Sequence, residues 1–210
     1  MSVDVQQGSY EWLMARVGHV TGSKFRSVLS RLKTGAPSQE RKDYLTDITI
    51  ERLTGQPTQH FVNSAMAWGT EQEPHARNAY LRRTNYRVDQ VGFIKHPELM
   101  VGVSPDGIIE MGEGILEIKA PTSATHLRTL EEGMDPVHQA QIQGAMWITG
   151  ATFADFVSYD PRMPEGLELY VQRVSRDQDF IDRLKNEVNV FLAEVDEKIV
   201  TLKEISNVRR

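Results

Sequence analysis

The chain has 210 residues, of which 40% are hydrophobic and 25% charged, with no cysteine and a formal net charge of -5. That length suits one well-cored domain, the absent cysteines exclude disulfides, thiolate metal sites and a cysteine nucleophile, and the negative balance counts against a protein that coats nucleic acid without specificity. No apolar run approaches the roughly 20 residues of a membrane span, and residues 1–7 have neither a basic nor an apolar leader region, so a cytoplasmic location without membrane association is the expectation.

Residues 9–16 read as a short helix with Ser9 as cap, Glu11 in the first turn and Trp12, Leu13 and Val17 on an apolar side. Gly18 stops it. Val20-Thr21-Gly22-Ser23 is then a small-residue turn feeding a second helix over 24–32, with Phe25, Val28, Leu29 and Leu32 at helical spacing. Such a turn places N–H groups and hydroxyls at a helix start, where the dipole favours anions, and Arg16 stands ready to complete a phosphate cradle. The same residues also suit an ordinary capped helix with a surface arginine. A third helix is expected over 44–53, ended by Thr54-Gly55-Gln56-Pro57, and a fourth over 66–83, with Ala76, Tyr80 and Leu81 on one side. Within the fourth, Thr70-Glu71-Gln72-Glu73 fits a capping box followed by Pro74, which offers Glu73 a purely structural role.

From Tyr86 the pattern changes to short β-branched runs near 88–94, 100–103, 107–110 and 115–119, which predict an antiparallel meander. Asp135-Pro136 opens a further helix that carries Gln141 and Gln143 and ends at Gly150. Two more strands are expected at 153–159 and 167–174, then a long helix over 177–203 with Ile181, Leu184, Val188, Phe191, Val195 and Ile199 on one stripe. Residues 16–42 hold seven basic groups against one acid, whereas residues 177–204 hold eight acids against four bases. This asymmetry suits one DNA-facing and one solvent-facing side, and equally suits plain solvated charge on helix surfaces.

The stretch 102–121 carries the chemistry. Ser104-Pro105-Asp106-Gly107 forms a turn, and Leu116-Glu117-Ile118-Lys119 alternates apolar and charged residues. In a strand, positions two apart share a face, so Glu117 and Lys119 point the same way, and a hairpin through 110–114 returns Asp106 beside them. Two converging carboxylates repel unless a cation lies between them. A hard ion such as Mg²⁺ suits them, with the Ile118 carbonyl as a further oxygen ligand. Lys119 would orient an attacking water or, with a lowered pKa, take its proton. The set suits metal-assisted phosphodiester hydrolysis, although a same-face Glu-x-Lys ion pair is also common on exposed strands.

These residues resemble the core of the PD-(D/E)xK nucleases. The chain as a whole resembles the viral recombination nucleases related to phage lambda exonuclease. Besides the core, the likeness runs through residues 12–23, Trp68-Gly69-Thr70-Glu71-Gln72-Glu73 with Ala76-Arg77, Ala140-Gln141-Ile142-Gln143 with Met146-Trp147, and Tyr159-Asp160-Pro161-Arg162-Met163 with Glu165-Gly166-Leu167. It implies a mixed α/β, restriction-endonuclease-like core, a central mixed sheet flanked by helices. The chain would form one nuclease domain over 1–210, in which 9–55 are a helical DNA-end-binding part. The implied activity is Mg²⁺-dependent 5′-to-3′ digestion of one strand of duplex DNA, releasing mononucleotides and leaving a 3′ overhang for recombination by strand annealing. Asp106, Glu117 and the Ile118 carbonyl would hold two Mg²⁺ ions, with Mn²⁺ as an alternative. Lys119 would serve the water, Glu73 would join the metal site or its water shell, and Gln141 would position Lys119 or the water. Arg16, Ser23 and Thr21 would bind the 5′-phosphate, and Trp12 would help separate the end. The likeness further implies a ring-shaped homotrimer, a single-strand annealing recombinase as partner, and a phage or prophage protein working in bacterial cytoplasm. A PD-(D/E)xK endonuclease and a non-catalytic end-binding subunit are the alternatives. The superfamily's Gln-x-x-x-Tyr pattern is absent, since Ala145 follows Gln141 and Trp147 follows Gln143, which leaves the acting glutamine open. His75, His126 and His138 lack zinc-like spacing and are expected at the surface or on the DNA side.

Overall fold

The computed structural model describes residues 2–3, 5–58 and 64–208. The chain divides into two compact units, one made of 1–59, 92–104 and 177–210, the other of 60–91 and 105–176.

In the first unit, α1 (Tyr10–Arg16) starts where the Ser9 hydroxyl accepts from the Trp12 N–H at 3.1 Å. A 3-10 turn, Gly22–Lys24, leads into α2 (Phe25–Leu29), which is shorter than the apolar spacing predicts. It stops because the chain folds back on itself, with Arg31 bridged to Pro37, and this leaves Leu32 exposed. The next helix, α3 (Gln39–Thr54), begins five residues before the expected start, because Ser38 caps it through the Arg41 N–H at 3.2 Å. Gly55, at φ +66, closes it in the left-handed conformation that glycine adopts without strain. The long α7 (Gln178–Val208) buries Ile181, Leu184, Val188, Phe191 and Val195 completely. Each such side chain contributes about 1.5–3 kcal/mol, so the 3.6-residue stripe fixes this helix against α2 and α3. A four-stranded sheet completes the unit in the order β1 (Ser2–Val3), β4 (Phe93–Lys95), β5 (Val101–Val103) and β2 (Val20–Thr21). Gly102 is required there, since a Cβ would lie 2.3 Å from the Phe93 ring.

The charge asymmetry of the sequence has an internal explanation in this unit. Arg31 pairs with Glu187, Arg41 is bidentate to Glu194 at 2.6 and 3.0 Å, and Arg52 reaches Asp196 at 2.7 Å. Part of the basic N-terminal charge is therefore neutralised by α7. Opposite faces for the two charge sets do not describe these residues.

The second unit is a five-stranded mixed sheet with helices. Its order is β3 (Val88–Asp89), β6 (Gly107–Ile109), β7 (Gly114–Lys119), β8 (Phe153–Tyr159) and β9 (Leu169–Ser175). Strands β6 and β7 form the expected hairpin, but the predicted meander is not one sheet. The run at 93–103 belongs to the first unit's sheet and the run from Gly107 to this one. Pro105 lies at the break, where it offers no N–H to continue a ladder. Strand β7 is parallel to β8, with Glu117 opposite Phe156 and Lys119 opposite Ser158. Parallel neighbours need a crossover, which here contains α5 (Ser123–Glu132), a helix the sequence pattern does not announce, and α6 (Gln139–Thr149). Asp135 caps the turn before α6 and Gly150 ends it, both as expected.

Helix α4 (Ser64–Thr84) packs Ala76, Ala79 and Tyr80 onto Leu116, Ile118 and Val157. It also corrects the capping-box expectation. The helix is already running before Thr70, whose hydroxyl donates to the Met66 carbonyl at 3.1 Å, and Pro74 sits inside it. Glu73 is thus released from any capping duty. The architecture is the mixed α/β core expected, and among the described residues no helix is long and apolar enough to cross a membrane.

Candidate active site

Alternation along β7 sends Leu116 and Ile118 into the cluster under α4, so Glu117 and Lys119 face the other way. The turn before β6 brings Asp106 alongside. Its N–H donates to the Leu116 carbonyl at 3.0 Å, and its Oδ2 accepts from the Ile118 N–H at 2.6 Å. Glu117 is buried, and its Oε1 accepts from Lys119 Nζ and from Gln141 Nε2, each at 2.5 Å. Lys119 Nζ also faces Gln141 Oε1 at 3.5 Å. Asp106, Glu117 and Lys119 therefore converge, as the residue pattern of 102–121 predicts, and Gln141 reaches them from α6.

Gln143 does not join them. It is fully buried and donates to the Ser175 carbonyl at 2.9 Å, a bond that ties α6 to the end of β9. Two residues along a helix turn the side chain by about 200°, and this sends Gln141 to Glu117 and Gln143 to β9.

Glu73 comes to the site through a residue that pattern reasoning left without a role. Arg77, one turn later on α4, donates from Nη2 to Glu73 and to the Asp106 main-chain carbonyl, the latter at 3.0 Å. One guanidinium thus ties the α4 glutamate to the turn that carries the first carboxylate. The i,i+4 Glu–Arg spacing was the available signal.

The electrostatics follow from this crowding. Exclusion of water from the Asp106 carboxylate, with Glu117 and Glu73 facing it, pushes its pKa well above the ordinary carboxylate value, against Lys119 and the Ile118 N–H. Burial works against the Lys119 ammonium, yet Glu117, Asp106 and Glu73 together hold its pKa above the usual lysine value. Of the two alternatives for Lys119, the one that needs a lowered pKa is not met here: this ammonium is held charged by its carboxylates. Hard oxygen donors carrying unbalanced negative charge fit a hard divalent cation. Among the described residues no three His, Asp or Glu side chains gather closely enough to hold an ion by themselves. A cation at this place would rest on Asp106, Glu117, a main-chain carbonyl such as that of Ile118, and water.

The histidines separate by environment. His75 is exposed, as expected. His126 is fully buried, which corrects its expected surface or DNA-side position. Its Nε2 donates to the Leu167 carbonyl at 2.8 Å, and its Nδ1 lies 2.7 Å from the Ser158 hydroxyl. His138 stacks on Phe156 at 5.3 Å, and burial together with the Lys119 charge lowers its pKa to about 4.

The phosphate-cradle candidates lie in the first unit. The Arg16 guanidinium sits 3.8 Å from the centre of the Trp12 ring, whose indole N–H donates to Ser104 Oγ at 2.9 Å. Burial lowers the Arg16 pKa. Thr21 is buried, its N–H donating to the Tyr44 hydroxyl at 3.1 Å, and Ser23 is exposed at the 3-10 turn.

A model of the YqaJ-like viral recombinase domain matches residues 11–152. Among solved structures, an alkaline exonuclease (LHK-Exo) from Laribacter hongkongensis shares 37% identity over 96% of this chain and all of that one, with a TM-score of 0.89. Its complex with dAMP matches with the same values. A phage-related exonuclease from Haemophilus somnus 129PT, at 16% identity and a TM-score of 0.68 over 88% of this chain and 96% of that one, shares the fold. No curated protein matches the chain.

Proposed function

We propose that this chain, which belongs to the YqaJ-like viral recombinase family, is a divalent-cation-dependent exonuclease. It digests one strand of duplex DNA from a 5′-phosphorylated end in the 5′-to-3′ direction, releasing mononucleotides and leaving a 3′ overhang for strand annealing. The observation that carries this is the convergence of Asp106, Glu117, Lys119 and Gln141 around one buried carboxylate. The exonuclease activity named for the 37%-identical structure, and dAMP in its complex, support a DNA substrate and a mononucleotide product.

Asp106, Glu117 and the Ile118 carbonyl would hold the cation, Mg²⁺ or Mn²⁺ and as many as two ions, with Glu73 in the surrounding water shell. When bound, such an ion neutralises phosphate charge and acidifies a coordinated water. The protein's own part is positional. Glu117 keeps Lys119 charged and aimed, so the ammonium orients the attacking water and meets negative charge as it develops. Gln141 holds Glu117 with its amide N–H and Lys119 with its carbonyl, which fixes both rotamers. Arg77 keeps Glu73 and the Asp106 turn in register. Arg16, steadied on Trp12, would take the 5′-phosphate with Thr21 and Ser23, while Trp12 stacks at the opened end. A homotrimeric ring, an annealing recombinase as partner and a phage or prophage origin in bacterial cytoplasm complete the proposal, in which 1–210 act as one nuclease domain.

The test compares linear duplex bearing a 5′-phosphate, the same duplex without it, and a closed circle. Mg²⁺-dependent nucleotide release is expected from the first substrate, more slowly from the second and not from the circle. Degradation of the circle would refute the exonuclease. In Arg16→Ala the rate ratio between the two linear substrates should fall towards one, and an unchanged ratio would remove Arg16 from end recognition.

A further inference from the structure

The segment Asp160-Pro161-Arg162 follows β8 and has no part in the cluster above, yet it holds a guanidinium in an unusually fixed place. Asp160 is fully buried and takes Arg162 Nε at 2.6 Å and Nη2 at 3.1 Å. The same Nη2 donates to the Pro121 carbonyl at 3.1 Å, and the guanidinium carbon lies 4.7 Å from the centre of the Trp68 ring. Burial works to raise the Asp160 pKa, but bonds from Arg162 and Ser123 hold it down at about 2, so the carboxylate stays charged. Arg162 is nevertheless 49% exposed along its side chain. Its Nη1 donors make no bond to the described protein groups. A planar cation whose rotamer is already fixed, with one donor edge turned outward, loses little entropy on meeting a phosphate.

Its two attachments also locate it. Pro121 lies two residues beyond Lys119 on the chain leaving β7. Trp68 lies five residues before Glu73 on α4, about 7.5 Å along the axis at 1.5 Å per residue. The guanidinium is thus tethered to both elements that carry the candidate active site. Asp106, Glu117 and Glu73 oppose the approach of a polyanionic strand, and Lys119 is already committed to Glu117. A positive group beside this site would hold a flanking phosphate of the strand that the cation does not reach.

We propose that Arg162, seated on Trp68, binds a phosphate of the substrate strand one or two nucleotides from the scissile one; this rests on the nuclease function proposed above. Trp68 acts as the stacking support that keeps the guanidinium plane in place.

The test uses 5′-phosphorylated duplexes, each carrying one uncharged methylphosphonate at a successive position from the 5′ end. Binding is measured by fluorescence anisotropy in EDTA. In the wild type, one methylphosphonate position should weaken binding about tenfold, the worth of one charge-assisted hydrogen bond. Arg162→Ala should weaken binding of unmodified duplex by a similar factor, and the two losses should not add. Additive losses at every position, or unchanged affinity in Arg162→Ala, would overturn the site. Because that variant strips buried Asp160 of its partner, Asp160→Asn/Arg162→Ala serves in its place if the single variant does not fold. Trp68→Ala should weaken binding several-fold and Trp68→Phe should restore it; equal losses in both would refute the stacking role. Nucleotide release from unmodified duplex in Mg²⁺ separates the two levels. Release without a coupled position overturns the Arg162 site alone, whereas no release overturns the nuclease function and this inference with it.

Discussion

Replacing Asp106 with asparagine should make the metal-free protein more stable while abolishing cleavage. The Asp106 carboxylate is disfavoured because protein excludes water from it and because Glu117 and Glu73 face it. An asparagine oxygen still accepts from the Ile118 N–H, so the turn keeps its anchor. Two unit charges about 4 Å apart at an effective dielectric of 20 repel by about 4 kcal/mol, and attraction to Lys119 offsets part of that. A net gain of about 1–2 kcal/mol is expected, which in a chain of this size raises Tm by about 2–8 °C. The wild type behaves oppositely towards Mg²⁺. At 100 times Kd, binding to the folded state contributes about 2.7 kcal/mol, a Tm increase of about 5–11 °C that Asp106→Asn should lack. Thermal melts of both proteins in EDTA and in a Mg²⁺ series measure both effects without any turnover. The pH dependence has a fixed sign. A carboxyl whose folded pKa is raised takes up its proton first in the folded state, so metal-free wild type gains stability as pH falls through that value towards the ordinary carboxylate value. Asp106→Asn should miss this increment. A lower Tm for the variant in EDTA, or an equal Mg²⁺ response, would refute the reasoning.

Lys119→Met should abolish cleavage yet keep duplex binding in EDTA, and at neutral pH it should melt below wild type because Glu117 and Asp106 lose their shared counter-charge; gel shift and calorimetry check both. The wild-type Lys119 contribution is present below the ordinary lysine pKa and is lost as pH rises through its raised folded value, so the two Tm curves should converge at high alkaline pH. Gln141→Ala should lower kcat at least tenfold with little change in Tm, whereas Gln143→Ala should cost about 1–2 kcal/mol of stability through the unpaired Ser175 carbonyl and keep wild-type turnover at 25 °C. Arg41→Ala removes a guanidinium only 1% exposed that is bonded to Glu194 and the Val28 carbonyl and lies over Phe191. A loss of about 3 kcal/mol, near the lower end for a broken buried pair because Glu194 regains solvent, should lower Tm by about 6–12 °C in a thermal melt.

Much of the site was legible before any coordinates. Glu117 and Lys119 share a face because strand geometry alternates by two, and the hairpin that returns Asp106 follows from turn residues between two β-branched runs. Caps at Ser9 and Asp135, the glycine stop at Gly55 and the stripe of α7 are local signals read within one or two helical turns. Helix α5 escaped because the face it buries is made of polar residues, His126 and Thr129, while Leu127 is exposed, and α4 overran Thr70 because a capping-box pattern is only a local preference that the preceding turns overrode.

The sequence by itself determined that Glu117 and Lys119 share one face of a strand and that a hairpin returns Asp106 beside them, since alternation, capping and turn formation act through neighbours along the chain. Tertiary structure alone decided the pairings across the chain. Gln141 faces Glu117 across 24 residues, whereas Gln143 turns to Ser175. Arg41 finds Glu194 across 153 residues and so neutralises part of the basic N-terminal charge. Arg77 ties α4 to the Asp106 turn, and the strands part into two sheets at Pro105. Those choices depend on burying charge and backbone polarity with partners far along the chain. A periodic pattern does not carry that information, because the partner is identified only once both elements are packed.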